Sequence, residues 1–378
     1  MRVCIGTILF VLILIFCACA PPTGTGGALG EKRSPFDPDL YSWKTASWTP
    51  FTVTDTISGF AYGKVDGTDR YVAVARTGVI AWSDNGDIWH KAAKYIPVTD
   101  PPTNPANVPD PFAASFNAVV FGGGVFVAVA NDGKIARSRD GINWTAAGHS
   151  GGIAGFGTEH IMGICWGKEM FVAVGGNSNV SYSTNGQNWT GRRADAFGGS
   201  QLNDIAFDAE HGRFYLVGDD GKRGYSNNPA ANPPVWNYSG PEHPFYTNHI
   251  RKVTVGRYGD HIGIGIVFNE WSGRRTAIAT NVNFDNFDAD LDAFDFGDNT
   301  INGIAWGTWD ASGTGCFAAA GASAMIGWWP SAEPGNNSQR YWRALSFTEF
   351  RWWEITALAA LKDRFFAGGI GGKIGYSK

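Results

Sequence analysis

Charge is scarce in this sequence, and cysteine scarcer still. Only 17% of the 378 residues are charged, the formal net charge is -4, and Lys and Arg nowhere form a block. That balance leaves no electrostatic footprint for nucleic acid or an anionic membrane surface, so no nucleic-acid partner is expected. Three of the five cysteines fall within the first nineteen residues. The other two, Cys165 and Cys316, sit in separate apolar stretches (ICW and CFA), as buried unpaired thiols would, and imply neither a disulfide nor a metal site. No helical apolar period occurs after residue 20, and HExxH, CxxC and phosphate-binding glycine patterns are lacking, so no cofactor or metal is expected. What the chain does have is 51 glycines and 14% aromatics, the composition of many short strands joined by tight turns.

The N-terminus is unlike the rest. Arg2 precedes an apolar run, VCIGTILFVLILIF, too short to span a bilayer and followed by Pro21 and Pro22, as in a secretory signal peptide. Its end, IFCACAPP, resembles a bacterial lipobox, with Ala18 before an acceptor Cys19, although Phe16 stands where Leu is usual. The resemblance implies a signal peptide over 1-18, diacylation of Cys19 and a membrane partner through that anchor. It also implies export to the cell envelope, at the outer membrane or cell surface where a second membrane exists. Residues 19-42, rich in Gly, Pro and Thr, read as a flexible tether.

From 43 to 378 one unit recurs. Its first strand appears as ISGFAYG at 57, FNAVVFG at 116, IMGICWG at 161, LNDIAFD at 202, IRKVTVG at 250, INGIAWG at 301 and ITALAAL at 355. The first and fourth places are always apolar, as in a strand packed between neighbouring sheets. A second strand follows (YVAVA at 71, FVAVA at 126, FVAVG at 171), then a Gly/Asp turn and a third strand such as KIARS at 134.

Three units continue with SDNGDIW, SRDGINW and STNGQNW. These resemble the Asp-box turns of BNR propellers, with one residue fewer between Ser and Trp. The likeness implies a structural set made of Ser83, Asn85, Gly86 and Trp89, of Ser138, Asp140, Gly141 and Trp144, and of Ser183, Asn185, Gly186 and Trp189. In each, Asn or Asp binds backbone N-H groups, Gly permits the left-handed turn and Trp plugs the gap between sheets. The expected fold is all-β, a single seven-bladed β-propeller with four-stranded antiparallel blades. Because the last unit stops at Ser377-Lys378, SWTPF at 47-51 is expected to complete it and close the ring.

In propellers of this kind ligands mostly bind around the central channel, on the face of the loops between blades. There the second place of the inner strand reads Ser58, Asn117, Met162, Asn203, Arg251, Asn302 and Thr356. Either these groups bind neighbouring backbone or they form a polar ligand ring. Trp271 with Arg274 and Arg275 in a lengthened loop, Trp352 with Trp353, and His249 offer an aromatic and basic platform for a protein or glycan. The acidic run at 285-298 fits a solvated loop better than a calcium site. A non-catalytic binding or assembly scaffold at the envelope is the preferred function. The alternative is a carbohydrate-active hydrolase with its site at the channel mouth, using Asp204 and Glu354. The arginine trio and FRIP segment of sialidases are not visible in the sequence.

Overall fold

The computed structural model describes residues 43-94, 115-147, 155-240, 248-258, 261-270, 273-279, 287-288, 300-308, 315-330, 343-346 and 354-377, several strands between 257 and 346 by backbone alone. Residues 1-42, which hold the expected signal peptide, Cys19 and tether, lie outside them. So do Trp271, Trp352, Trp353 and most of the acidic run.

Apolar runs become strands buried on both faces: Val125–Ala130 is buried throughout. Among the described residues the strands form seven sheets. Their first strands are Ile57–Val65, Phe116–Gly122, Ile161–Gly167, Leu202–Asp208, Ile250–Tyr258, Ile301–Thr308 and Ile355–Leu361. Each of these touches the next, and Ile355–Leu361 touches Ile57–Val65, so the sheets are blades of a closed propeller. We number the blades one to seven in that order.

One blade departs from the four-stranded antiparallel pattern expected. Blade two has five strands, because Ala93–Lys94, leaving blade one, pairs parallel to Asn143–Ala147 on its outer edge. An outermost strand would otherwise present unpaired N-H and C=O groups. Nor are the joints equivalent. Among the described residues, apolar clusters fill the joints between blades one and two, two and three, three and four, six and seven, and seven and one. Between blades four and five a charged pair occupies places that are glycine or alanine in the other blades.

The closing strand also differs from expectation. It is Trp43–Thr45, paired antiparallel with Ile374–Ser377 through Trp43 opposite Ser377. Trp43 is 5% exposed and packs with Ala305, Ala318 and Phe365, while Trp48 is 53% exposed. Trp43 therefore fills the gap between blades six and seven as Trp144 and Trp189 fill theirs. Trp48 is added instead to blade one as a parallel bridge to Ile88.

The Asp-box turns set three further Trp plugs, Trp89, Trp144 and Trp189, while Trp236 plugs the joint between blades three and four without one. Ser83 Oγ accepts the Gly86 N-H at 2.9 Å, Asn85 Oδ1 accepts those of Asp87 and Ile88 at 2.8 and 3.0 Å, and Trp89 Nε1 donates to the Gly86 carbonyl at 3.0 Å. The sets at Ser138 and Ser183 repeat these bonds. Gly86, Gly141 and Gly186 hold φ of 76°, 73° and 70°, and a Cβ on Gly86 would lie 2.6 Å from Phe366, so only glycine fits.

One carboxylate fastens the closure. Asp87 accepts from Ser47 N at 3.0 Å, Ser47 Oγ at 2.7 Å, Lys44 Nζ at 3.3 Å and Tyr376 Oη at 3.1 Å, joining the N-terminal segment, blade seven and blade one. Burial alone would raise its pKa; the bonds from Ser47, Lys44 and Tyr376 outweigh burial and hold the carboxyl below its ordinary value.

Two outcomes follow from this closure. Trp43→Ala should cost about 3-5 kcal/mol in urea unfolding, whereas Trp48→Ala should cost less than about 1 kcal/mol. Because the folded pKa of Asp87 is depressed, its contribution is complete above the ordinary carboxylate pKa and is lost as pH falls through the folded value. Asp87→Asn should be less stable than wild type at neutral pH, and the gap should close on acidification.

Candidate functional site

In every blade the inner strand carries a bulge at its second place, with the register shifting between the first and third residues, as at Phe116/Ala118 and Leu202/Asp204. The bulge turns the second side chain toward the next blade. There it meets the carbonyl of that blade's first inner-strand residue. Ser58 Oγ donates to Phe116 O at 2.7 Å, Asn117 Nδ2 to Ile161 O, Asn203 Nδ2 to Ile250 O and Asn302 Nδ2 to Ile355 O, all at 2.8 Å. Thr356 Oγ1 donates to Ile57 O at 2.6 Å, carrying the pattern across the ring closure.

Five of the seven second-place residues are thus latches between blades, and their polarity has a structural cause. Each donates to a backbone carbonyl of the neighbouring blade. The same seven also line one cavity of about 430 Å³ at the channel mouth, together with Thr56, Arg76, Lys252, Glu354 and Ile370.

The charges of this cavity are unequal. Arg76, Arg251 and Lys252 are cationic, and Glu354 is the one carboxylate among the lining residues. Glu354 Oε1 accepts from Asn302 Nδ2 at 2.7 Å. Arg251 Nη1 donates to Asp219 Oδ1 at 3.1 Å, and Asn203 Nδ2 reaches the same oxygen at 2.8 Å. Arg251 Nε is buried without a hydrogen-bond partner. His249 stands beside this group: its Nδ1 accepts the Asp220 N-H at 3.3 Å and lies 3.2 Å from Asp219 Oδ1.

Behind the cavity wall, blades four and five meet through charge. The third place of the inner strand is Gly59, Ala118, Gly163, Gly303 or Ala357 elsewhere, and a Cβ on Gly163 would lie 2.9 Å from the Asp204 backbone. In blades four and five it is Asp204 and Lys252. Asp204 Oδ2 accepts the Val253 N-H across the joint at 3.1 Å and lies 3.8 Å from Lys252 Nζ. Burial pushes the Asp204 carboxyl above its ordinary pKa, against the opposing pull of the Lys252 ammonium and the N-H groups of Val253 and Ile205.

Of the residues expected at the site, Asn117, Asn203, Arg251 and Asn302 come together in the cavity, and His249 lies one contact behind it. Arg274 and Arg275 are not in a lengthened loop. They belong to strand Gly273–Ala279, opposite Asn269 and Phe268 of His261–Glu270. Thr56, Arg76, Lys252 and Ile370 line the cavity without having been expected there. Lys252 was visible as a charge at a place otherwise mostly small; Arg76 and Ile370 each follow a second strand directly, a shared position whose direction the sequence does not reveal. Asp204 is not among the lining residues, so the expected pair of carboxylates is not assembled on this cavity.

Asn117→Ala should destabilise the protein by about 1-3 kcal/mol in urea unfolding, since it removes the buried bond to the Ile161 carbonyl. The raised Asp204 pKa has the opposite sign to that of Asp87. Its stabilising contribution is complete below the ordinary carboxylate pKa and is lost as pH rises through the folded value. Asp204→Asn should therefore melt higher than wild type at neutral pH, with an advantage that shrinks on acidification. A constant difference in Tm would contradict this reading.

No protein-family model matches the chain, and no curated protein matches it. Solved structures do. YCF48 from Cyanidioschyzon merolae superposes with a TM-score of 0.61 at 16% identity over 89% of this chain and 98% of its own. A structure of YCF48 bound to D1 peptide gives 0.60 at 11% identity over 90% and 97%. The WD40 beta propeller domain of Doa1 gives 0.54 at 10% identity over 89% and 97%. All three likenesses are of fold, and they agree with the sheets described above that this chain is a β-propeller.

Proposed function

We propose that the protein is an exported envelope lipoprotein, acylated at Cys19, whose propeller serves as a non-catalytic binding or assembly scaffold. Its partner is a protein, held by an extended segment in the channel-mouth cavity. The observation that carries this reading is the cavity itself, where the inner strands of all the blades converge and cations outnumber carboxylates. A concave pocket on a rigid ring, with a few placed polar groups and the apolar Met162 and Ile370, suits a peptide better than a flat protein surface. The YCF48 structure that holds a D1 peptide supports the same use of a similar fold. In a cell with two membranes the place of the protein is the outer one, since no Asp follows Cys19 to retain it.

The second reading, a carbohydrate-active hydrolase at the same mouth, rests on Glu354 alone. Asp204 is held behind the wall by Val253 and Lys252. Turnover of model glycosides by wild type, abolished in Glu354→Ala, would overturn the scaffold reading.

The direct test is affinity capture from envelope extract with the full chain. Arg76→Glu, and separately Arg251→Glu with Lys252→Glu, should lower retention of the partner at least about tenfold while the circular dichroism spectrum stays that of a folded β protein. Undiminished retention by both variants would place the partner elsewhere on the molecule.

A further inference from the structure

Trp48 has no structural duty that needs an indole. The plug position belongs to Trp43, yet Trp48 is fixed rather than loose. Its carbonyl accepts the Trp89 N-H at 3.0 Å, its N-H reaches the Asp87 carbonyl at 3.4 Å, and the preceding Ser47 is bound twice by Asp87. Its ring lies 6.3 Å from that of His90, which is 4.7 Å from Trp82, with the Arg70 guanidinium 4.3 Å over Trp82. Beside it on the bridged strand is Ile88, 45% exposed. Lys44, whose ammonium is bound by Asp87, and Lys91, next to His90 in the chain, are exposed. The outer edge of blade one thus presents a rigid indole and an isoleucine to water, rimmed by amphipathic cations.

The position of this edge says what it meets. The chain enters the propeller at Trp43, a few residues before Trp48 and roughly two dozen residues along the chain from Cys19, so an anchor there keeps this edge among the parts of the propeller nearest the membrane along the chain. We propose that, on the reading that Cys19 is acylated, the blade-one edge seats in the interface of the membrane that holds the anchor, with Trp48 and Ile88 entering at headgroup depth. Trp prefers that depth because its ring is apolar at one end and its N-H stays wet. Lysines at the rim keep their ammonium groups in water while their stems lie along the lipid. The anchor supplies the effective concentration that a single Trp-Ile pair lacks. Since the contact is apolar and the chain as a whole is weakly acidic, it should survive salt.

The test uses the mature lipidated protein in phosphatidylethanolamine/phosphatidylglycerol vesicles. Cys165 and Cys316 are buried, so a nitroxide can be placed on a single introduced cysteine, Lys91→Cys at the proposed contact or Val235→Cys, 65% exposed on blade four, as reference. Collision with a water-soluble paramagnetic reagent should fall at least about threefold at position 91 relative to 235, and remain so in 0.5 M salt. Trp48→Ala with Ile88→Ser should restore equal accessibility while the melting temperature stays close to wild type. Equal accessibility of the two positions in the unsubstituted background, or protection that survives the double substitution, would overturn the docking. Absence of acyl chains from the mature N-terminus by mass spectrometry would overturn it together with the anchor.

Discussion

The close approach of neighbouring inner strands governs the rest of this molecule. The strands come near enough that third-place residues are Gly or Ala in five of the blades, and a Cβ on Gly59 would already lie 3.3 Å from the Ala118 backbone. At that separation an unsatisfied carbonyl on one blade is costly, and the bulge at the second place supplies the donor that answers it. Ser58, Asn117, Asn203, Asn302 and Thr356 all serve in this way. The cavity follows from the same geometry, because the side chains that latch the blades converge on the channel mouth. Latch and lining are one set of residues, so binding chemistry has to come from the places where the pattern is broken.

Those breaks are concentrated on blades four and five. Arg251 stands where a latch would be and is drawn back by Asp219; Lys252 and Asp204 stand where small residues would be. The cost is visible in the raised Asp204 pKa, the mark of a carboxylate buried beside an ammonium that only partly compensates it. What this arrangement provides is a pair of cations, Arg251 and Lys252, at a channel mouth lined also by Arg76, Glu354, the apolar Met162 and Ile370, and neutral polar groups.

The sequence disclosed whatever repeats locally. Seven inner-strand segments, the runs that follow them and three Asp-box turns could be aligned because each is a short pattern with a fixed internal period. It was silent or misleading where a partner lies far along the chain. SWTPF begins like the strand after an Asp-box and so points to Trp48 as the closing plug, but pairing with Ile374–Ser377 across more than three hundred residues selects Trp43. The parallel strand Ala93–Lys94 was hidden for the same reason, since its partner is Asn143–Ala147. The second-place residues were legible as groups that bind either neighbouring backbone or a ligand, and five of them bind the carbonyls of the next blade. Arg274 and Arg275 looked like loop residues because Trp271-Ser272-Gly273 reads as a turn cluster, whereas the flanking strands extend up to it.

The central claim, that the channel mouth is where this propeller holds its partner, is tested most directly by photo-crosslinking in cells. A benzophenone amino acid at Ile370, which lines the cavity, should capture one discrete partner, and the adduct should vanish when Arg251→Glu and Lys252→Glu are added. The same group at Val235, outside the cavity, should capture none. An adduct from Val235 with none from Ile370, or one from Ile370 indifferent to both charge reversals, would contradict the account.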